Sequence, residues 1–126
     1  MRKKPDLTKI KTVQEYDASE GVFELANYDI EFTGLPMVIW IGPKNAQHGP
    51  RIKVQRNYVQ RMDPNNLFCV SVTDKPKIVA GNQGEITNID LQKIFKWIIL
   101  NKIVLLKVWN MEYKTFVGLE KDLIKV

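Results

Sequence analysis

The residue best suited to proton chemistry near neutral pH is His48, the only histidine among 126 residues. It lies at the end of a loop rich in glycine and proline. Catalysis by histidine usually needs a second organised group, yet no Asp or Glu lies within fourteen residues of it, the nearest being Glu31 and Asp63. The sequence therefore favours a structural histidine whose ring bonds a loop carbonyl, and catalysis by His48 is the weaker alternative.

A basic strand face follows this loop directly. Residues 51–56 alternate apolar and polar side chains, which places the polar ones on one face of a strand around Lys53. Lysine and arginine side chains bind phosphate and carboxylate groups, and the alternative is a face that is merely solvated. The candidate nucleic-acid- or anion-binding residues are Lys44, Arg51, Lys53, Gln55, Arg56 and Arg61.

Metal and cofactor chemistry have little support in the sequence. Zinc sites use three or four ligands, commonly in closely spaced pairs, whereas His48 and the single cysteine, Cys69, stand twenty-one residues apart. Residues 81–84 contain two glycines before a helical pattern, but the spacing is not that of a phosphate-binding loop. We therefore predict no metal site and no cofactor, and we interpret Cys69 as a small hydrophobic residue within a strand.

Charge is unevenly distributed along the chain. The net charge is +5, and residues 35–80 alone hold seven Lys or Arg against two Asp or Glu. The first 34 residues are slightly acidic, with five basic and seven acidic side chains. A cationic middle third favours an anionic partner, either nucleic acid or an acidic protein.

Length and composition predict one soluble domain over residues 1–126, with residues 1–10 as a flexible arm. An apolar content of 44% is too high for a disordered chain. The basic start of the chain is not followed by an apolar core, and apolar runs stay far below the roughly 20 residues of a spanning helix. One cysteine permits no internal disulfide, so we expect a cytoplasmic protein with no membrane partner.

Strand patterns occupy the first two thirds of the chain. Residues 37–41 are continuously apolar, which is typical of a central strand covered on both faces. Residues 22–32 alternate with one slip at Ala26-Asn27, which predicts two strands or one bulged strand. The remaining predicted strands are residues 11–16, 51–56, 67–72 and 78–80.

A helical pattern begins after Thr87, which is a good N-cap followed three residues later by Asp90. Apolar residues then recur at helical spacing to about Asn110, with a bend or a split expected at Asn101. The tail, residues 113–117 and 123–126, is predicted as a terminal hairpin. The expected architecture is α+β: a mostly antiparallel β-sheet with one long α-helix of the C-terminal half packed on one face.

Residues 36–109 resemble a small bacterial α+β family of uncharacterised function, often encoded beside partners of toxin–antitoxin type. The shared outline comprises an apolar strand, a His-x-Pro loop, a hydrophobic-x-Val strand, a hairpin ending in glycine, and a helix ending near Leu-Leu-x-x-Trp. Here these are residues 38–41, 48–50 and 52–54, Gly81, and residues 105–109. Family members tend to carry further histidines after the proline, where this chain has Arg51 and Lys53. The resemblance therefore implies the fold rather than an activity.

The leading hypothesis is a small non-enzymatic binding module that docks an anionic partner through the basic strand face. The alternative is a protein-interaction or accessory subunit, such as an antitoxin-like or phage-encoded inhibitor. It would use an exposed sheet edge, or an exposed helix stripe around Ile99 and Ile103, and a homodimer would also satisfy it.

Overall fold

The computed structural model describes residues 26–44 and 47–126. Within these ranges, five antiparallel strands pair in the order in which they occur along the chain, so each strand neighbours the one before it. Strand β2 is buried at every position, as its continuous apolar sequence predicts. The strands are β1 (Ala26–Tyr28), β2 (Ile39–Ile41), β3 (Arg51–Gln55), β4 (Leu67–Ser71) and β5 (Ile78–Ala80).

The inner face of the sheet forms the core with the helices. Alternate residues of each strand point to this face, so Ile39 lies opposite Val54, and Val54 opposite Phe68. The helical residues Ile94, Trp97 and others of the same cluster pack against them. Phe68, Val70 and Val72 alternate along the chain and are all buried on this face.

The helical half does not form one long helix. Four helices are present in the described residues: α1 (Ile30–Thr33), α2 (Asn88–Leu100), α3 (Lys102–Trp109) and α4 (Phe116–Asp122). Of the two alternatives for Asn101, a bend or a split, the structure shows the split. None of these helices has the length and apolar content needed to cross a membrane.

Two other predicted elements are wrong. Strand β1 ends at Tyr28, and residues 30–33 form α1, because the Asp29 carboxylate accepts the Glu31 N–H as an N-cap. The tail forms α4 instead of a hairpin, with the Thr115 hydroxyl accepting the Gly118 N–H. The predicted arm at residues 1–10, the strand at residues 11–16 and the start of that at 22–32 lie outside the described residues.

The start of α2 confirms the predicted cap and adds a residue to it. The Thr87 hydroxyl accepts the Asp90 N–H at 3.1 Å. In a capping box the carboxylate would bind the backbone N–H of the cap residue. Here the Tyr58 hydroxyl lies between them, accepting the Thr87 N–H at 3.0 Å and donating to Asp90 Oδ2 at 2.6 Å. This fixes the β3–β4 connection to the helix layer.

Asn101 explains both the split between α2 and α3 and the path of the tail. Its side chain is buried, and its amide nitrogen donates to the carbonyl oxygens of Trp97 at 3.0 Å and Ile124 at 2.9 Å. Its amide oxygen accepts the Ile124 N–H at 2.8 Å. The tail continues to Val126, whose N–H donates to Thr33 O at 3.0 Å. The two helices and the tail therefore meet at one amide.

We expect Asn101→Ala to lower the free energy of unfolding by about 2 kcal/mol, because the Ile124 backbone groups lose their buried partners. The better helix propensity of alanine offsets only a few tenths of a kcal/mol. Urea denaturation measures the change. Asn110→Ala, at an exposed helix end, is the control and should change stability far less. Equal effects of the two variants on the free energy of unfolding would contradict the role of Asn101 in holding the tail.

Candidate functional site

The face of the sheet opposite the core, here called the outer sheet face, is defined by two cross-strand rows. The first row follows the cross-strand pairing through all five strands: Asn27, Trp40, Lys53, Cys69 and Ala80. The second row pairs Arg51 with Ser71. On β2, β3 and β4 the strand neighbours of these residues lie in the core cluster, so alternation directs their side chains away from it.

Three cations lie on the outer sheet face. Arg51 and Lys53 are both half-buried there, one strand repeat apart, as the sequence predicts. Lys77 joins them, because its N–H donates to the Ser71 hydroxyl at 3.1 Å and its carbonyl accepts the Ser71 N–H at 2.9 Å. The adjoining Ile78 packs on the core, so Lys77 points to the opposite face. No carboxylate belongs to these rows in the described part of the chain.

Trp40 lies beside Lys53, on the neighbouring strand β2, and is only 7% exposed, although it does not belong to the core cluster. Its indole Nε1 is buried and has no hydrogen-bond partner among the described residues, and the same holds for Nε of Arg51. An unsatisfied buried donor costs about 1–3 kcal/mol. Among the described residues, the outer sheet face thus combines three cations, with no carboxylate in its two rows, and N–H donors that lack acceptors.

The expectation that Gln55 presents its amide on this face is corrected. Gln55 is fully buried, because the loop of residues 57–63 closes over the end of β3. Its amide nitrogen lies 2.9 Å from the carbonyl oxygens of both Val59 and Arg61, and its amide oxygen accepts the Asp63 N–H at 2.9 Å. Gln55 therefore holds the β3–β4 loop and offers nothing to a partner.

Arg56 is likewise held by the protein itself. Its Nε and Nη2 donate to Asn82, at the carbonyl oxygen and at Oδ1, and its Nη1 donates to Asn66 Oδ1 at 3.0 Å. These bonds use three of the five N–H donors of the guanidinium. Gly84 packs so closely that an added Cβ would lie 2.7 Å from Arg56 Cβ. Arg56 connects two loops through these bonds, and an anion-binding role for it stays a prediction.

Lys44 and Arg61 are exposed but lie away from the two rows. The Lys44 N–H donates to Trp109 O at the end of α3, which places this residue beside the helix layer. Arg61 belongs to the loop that encloses Gln55. The structure therefore brings together Arg51 and Lys53, adds Lys77, and separates the other candidates. An anion-binding role for Lys44 and Arg61 stays a prediction.

His48 packs on the helix layer. Its Nδ1 lies 3.0 Å from Gly49 O, and its ring centroid lies 5.6 Å from that of Trp109. This is the structural arrangement that the sequence favours. Within residues 26–44 and 47–126, no group of three His, Cys, Asp or Glu side chains is placed to hold a metal ion.

A shallow apolar cleft lies beside α3 and α4, away from the cations. Met111 lines it with a positive φ of 59°, because it occupies the left-handed position of a Schellman turn that ends α3. Tyr113 also lines it; burial and a hydrogen bond to Asp122 raise the pKa of Tyr113 to about 12. The lining residues are Gly42, Pro43, Val108, Met111, Tyr113, Thr115, Phe116 and Leu119. They include no group that ionises near neutral pH.

The chain matches no family model, no curated protein and no solved structure. The case for its function therefore depends on the geometry of the outer sheet face. Sequence reasoning missed two of its members. Lys77 follows a proline in a short hairpin, where strand phase is hard to assign, and Trp40 stands in a run that is apolar throughout.

We expect Gln55→Ala to lower the free energy of unfolding by about 2 kcal/mol and to leave any anion binding by the outer sheet face unchanged. Hydrogen exchange at the Asp63 amide, which Gln55 binds, should accelerate along with the loss of stability in urea. Gln92→Ala, on the exposed side of α2, is the matched control. A stable Gln55→Ala protein with weakened anion binding would contradict this assignment.

Proposed function

We propose that this protein is a small non-enzymatic binding module that docks an anionic partner, nucleic acid or an acidic protein, on its outer sheet face. The observation that carries the proposal is the group of Arg51, Lys53 and Lys77 on one face, with no carboxylate in its cross-strand rows. Cytoplasmic location, a bacterial or phage origin and an antitoxin-like setting are part of the same proposal. They follow from the cysteine content and the sequence resemblance.

The geometry supports docking better than catalysis. Strands lie about 4.8 Å apart, and alternate residues of a strand about 7 Å, so the three cations span roughly 10 Å. They can contact successive charges of an extended anion. The sheet fixes their backbone positions, which lowers the entropic cost of binding.

The paired charge reversal Arg51→Glu with Lys53→Glu tests this role. We expect at least a tenfold loss of affinity for a labelled mixed-sequence oligonucleotide, measured by fluorescence anisotropy. The slope of log affinity against log salt should fall by about 2, since each phosphate contact contributes about 0.9. An acidic peptide measured in parallel distinguishes the two kinds of partner.

The matched control is Lys96→Glu with Lys107→Glu, which makes the same charge change at exposed positions of α2 and α3. Circular dichroism and thermal melting establish that both variants fold. Equal losses of oligonucleotide affinity in the two double variants would show that only net charge matters and would contradict the proposed site. Unchanged affinity of the Arg51 and Lys53 variant would also overturn it.

A second candidate function is a protein-interaction subunit that uses the helix layer. Ile99, Leu100 and Ile103 are 52%, 48% and 72% exposed and lie together where α2 meets α3. The predicted exposure of Ile99 and Ile103 is therefore confirmed. Adjacent large apolar side chains on a surface are typical of contact with another protein, and self-association is the simplest form to test.

For this candidate we expect a concentration-dependent dimer in sedimentation equilibrium, lost on Ile99→Ser with Ile103→Ser. Removing exposed isoleucines should leave folding stability within about 1 kcal/mol of the original, because they bury little surface in the monomer. Val79→Ser, at an exposed apolar position on the sheet edge, is the control. A strict monomer at high protein concentration would exclude the dimer.

A further inference from the structure

We propose that two copies of this chain exchange residues 116–126, so that α4 and the tail of each copy dock on the body of the other. The body is residues 26–44 and 47–109, and the hinge is residues 110–115, which join α3 to α4. Anion binding plays no part in this exchange. Its contacts also differ from those of a dimer formed through Ile99 and Ile103.

The exchanging segment is held on the body by contacts that a second copy offers equally well. Leu119 is 1% exposed and belongs to the core cluster. The Asn101 side chain binds both the N–H and the carbonyl oxygen of Ile124. The Tyr28 hydroxyl donates to Glu120 Oε2 at 3.3 Å. Because the two copies are identical, exchange keeps every one of these contacts, which makes it a low-cost route to a dimer.

The hinge is strained in the closed monomer. Within residues 26–44 and 47–126, Met111 is the one non-glycine residue with a positive φ, at 59°. The Schellman turn imposes this angle, since the N–H groups of Met111 and Glu112 donate to Val108 O and Lys107 O, both at 2.9 Å. A left-handed conformation is unfavourable for a residue with a Cβ. When the hinge extends in the exchanged dimer, both copies of Met111 return to ordinary backbone angles, and strained short hinges favour exchange for this reason.

The surroundings of the hinge give the dimer a contact that the monomer lacks. Met111, Phe116 and Val117 are 48%, 38% and 61% exposed and lie within or directly after the hinge. Six extended residues span about 20 Å, which is enough to bridge two bodies. In a two-fold dimer the two hinges run side by side, so these apolar side chains of both copies meet and lose contact with water.

Isotope-filtered nuclear Overhauser measurements on the full chain test the exchange directly. Isotope-labelled and unlabelled protein are unfolded together in urea and refolded at high concentration, and the dimer is isolated by gel filtration. We expect contacts between the Leu119 methyl groups of one isotopic form and core methyl groups of the other. A dimer in which the Leu119 contacts stay within one chain would overturn the exchange, and so would a protein that stays monomeric.

Two substitutions of Met111 test the strain in the hinge. Met111→Gly and Met111→Ala remove the same apolar side chain, but only glycine adopts a positive φ without steric cost. Two hinges change in each dimer, so we expect the dimerisation constant of Met111→Gly to be about tenfold or more below that of Met111→Ala in sedimentation equilibrium. Equal constants for the two variants would contradict the role of the hinge.

Asn101→Ala distinguishes exchange from the association of intact monomers. The bonds between Asn101 and Ile124 are the same in the monomer and in the exchanged dimer, so the dimerisation constant should stay within about threefold. These bonds break during exchange, so the diluted dimer should dissociate about fivefold faster or more. Gln92→Ala, on the exposed side of α2, is the control and should change neither quantity. A dissociation rate that Asn101→Ala leaves unchanged would contradict the exchange.

Discussion

Burial of both faces of β2 is the constraint on which the rest of this molecule depends. Ile39 and Ile41 face the helices and Trp40 faces away, and all three are shielded from water. A sheet with helices on one side only usually leaves its other side to polar residues. Here the other side holds Trp40 beside Lys53, and Trp40 is buried although it does not belong to the core cluster. The binding proposal depends on this asymmetry.

Two buried amides organise the parts that the hydrophobic core does not reach. The Gln55 side chain hydrogen-bonds backbone groups of the β3–β4 loop. The Asn101 side chain hydrogen-bonds backbone groups of the tail at the break between α2 and α3. In both cases one neutral side chain supplies donors and an acceptor to backbone groups that no strand or helix pairs. A buried polar group is tolerated when all its bonds are made, and each of these residues fixes one connection in a single conformation.

Much of the sheet follows from the sequence, because strands β2 to β5 show clear patterns and turn residues separate them. The failures come from contacts made across the fold. Residues 30–33 alternate like a strand, but the Asp29 cap and Gly34, with a φ of 76° at the helix end, form a helical turn instead. Alternation assigned Gln55 to the correct face and could not show that a loop closes over it. Proximity in sequence likewise suggested one cluster for Lys44, Arg56 and Arg61, which the structure separates.

The order of the strands has a consequence for how the chain reaches this structure. Successive strands are joined by connections of between six and eleven residues, so every pairing in the sheet is local along the chain. Local pairings cost little loop-closure entropy and favour rapid folding. The tail is different, since Val126 joins Thr33 from the opposite end of the described chain, beside Gly34. We expect the sheet to assemble early through successive hairpins and the tail to attach last, so that partial unfolding begins at the tail.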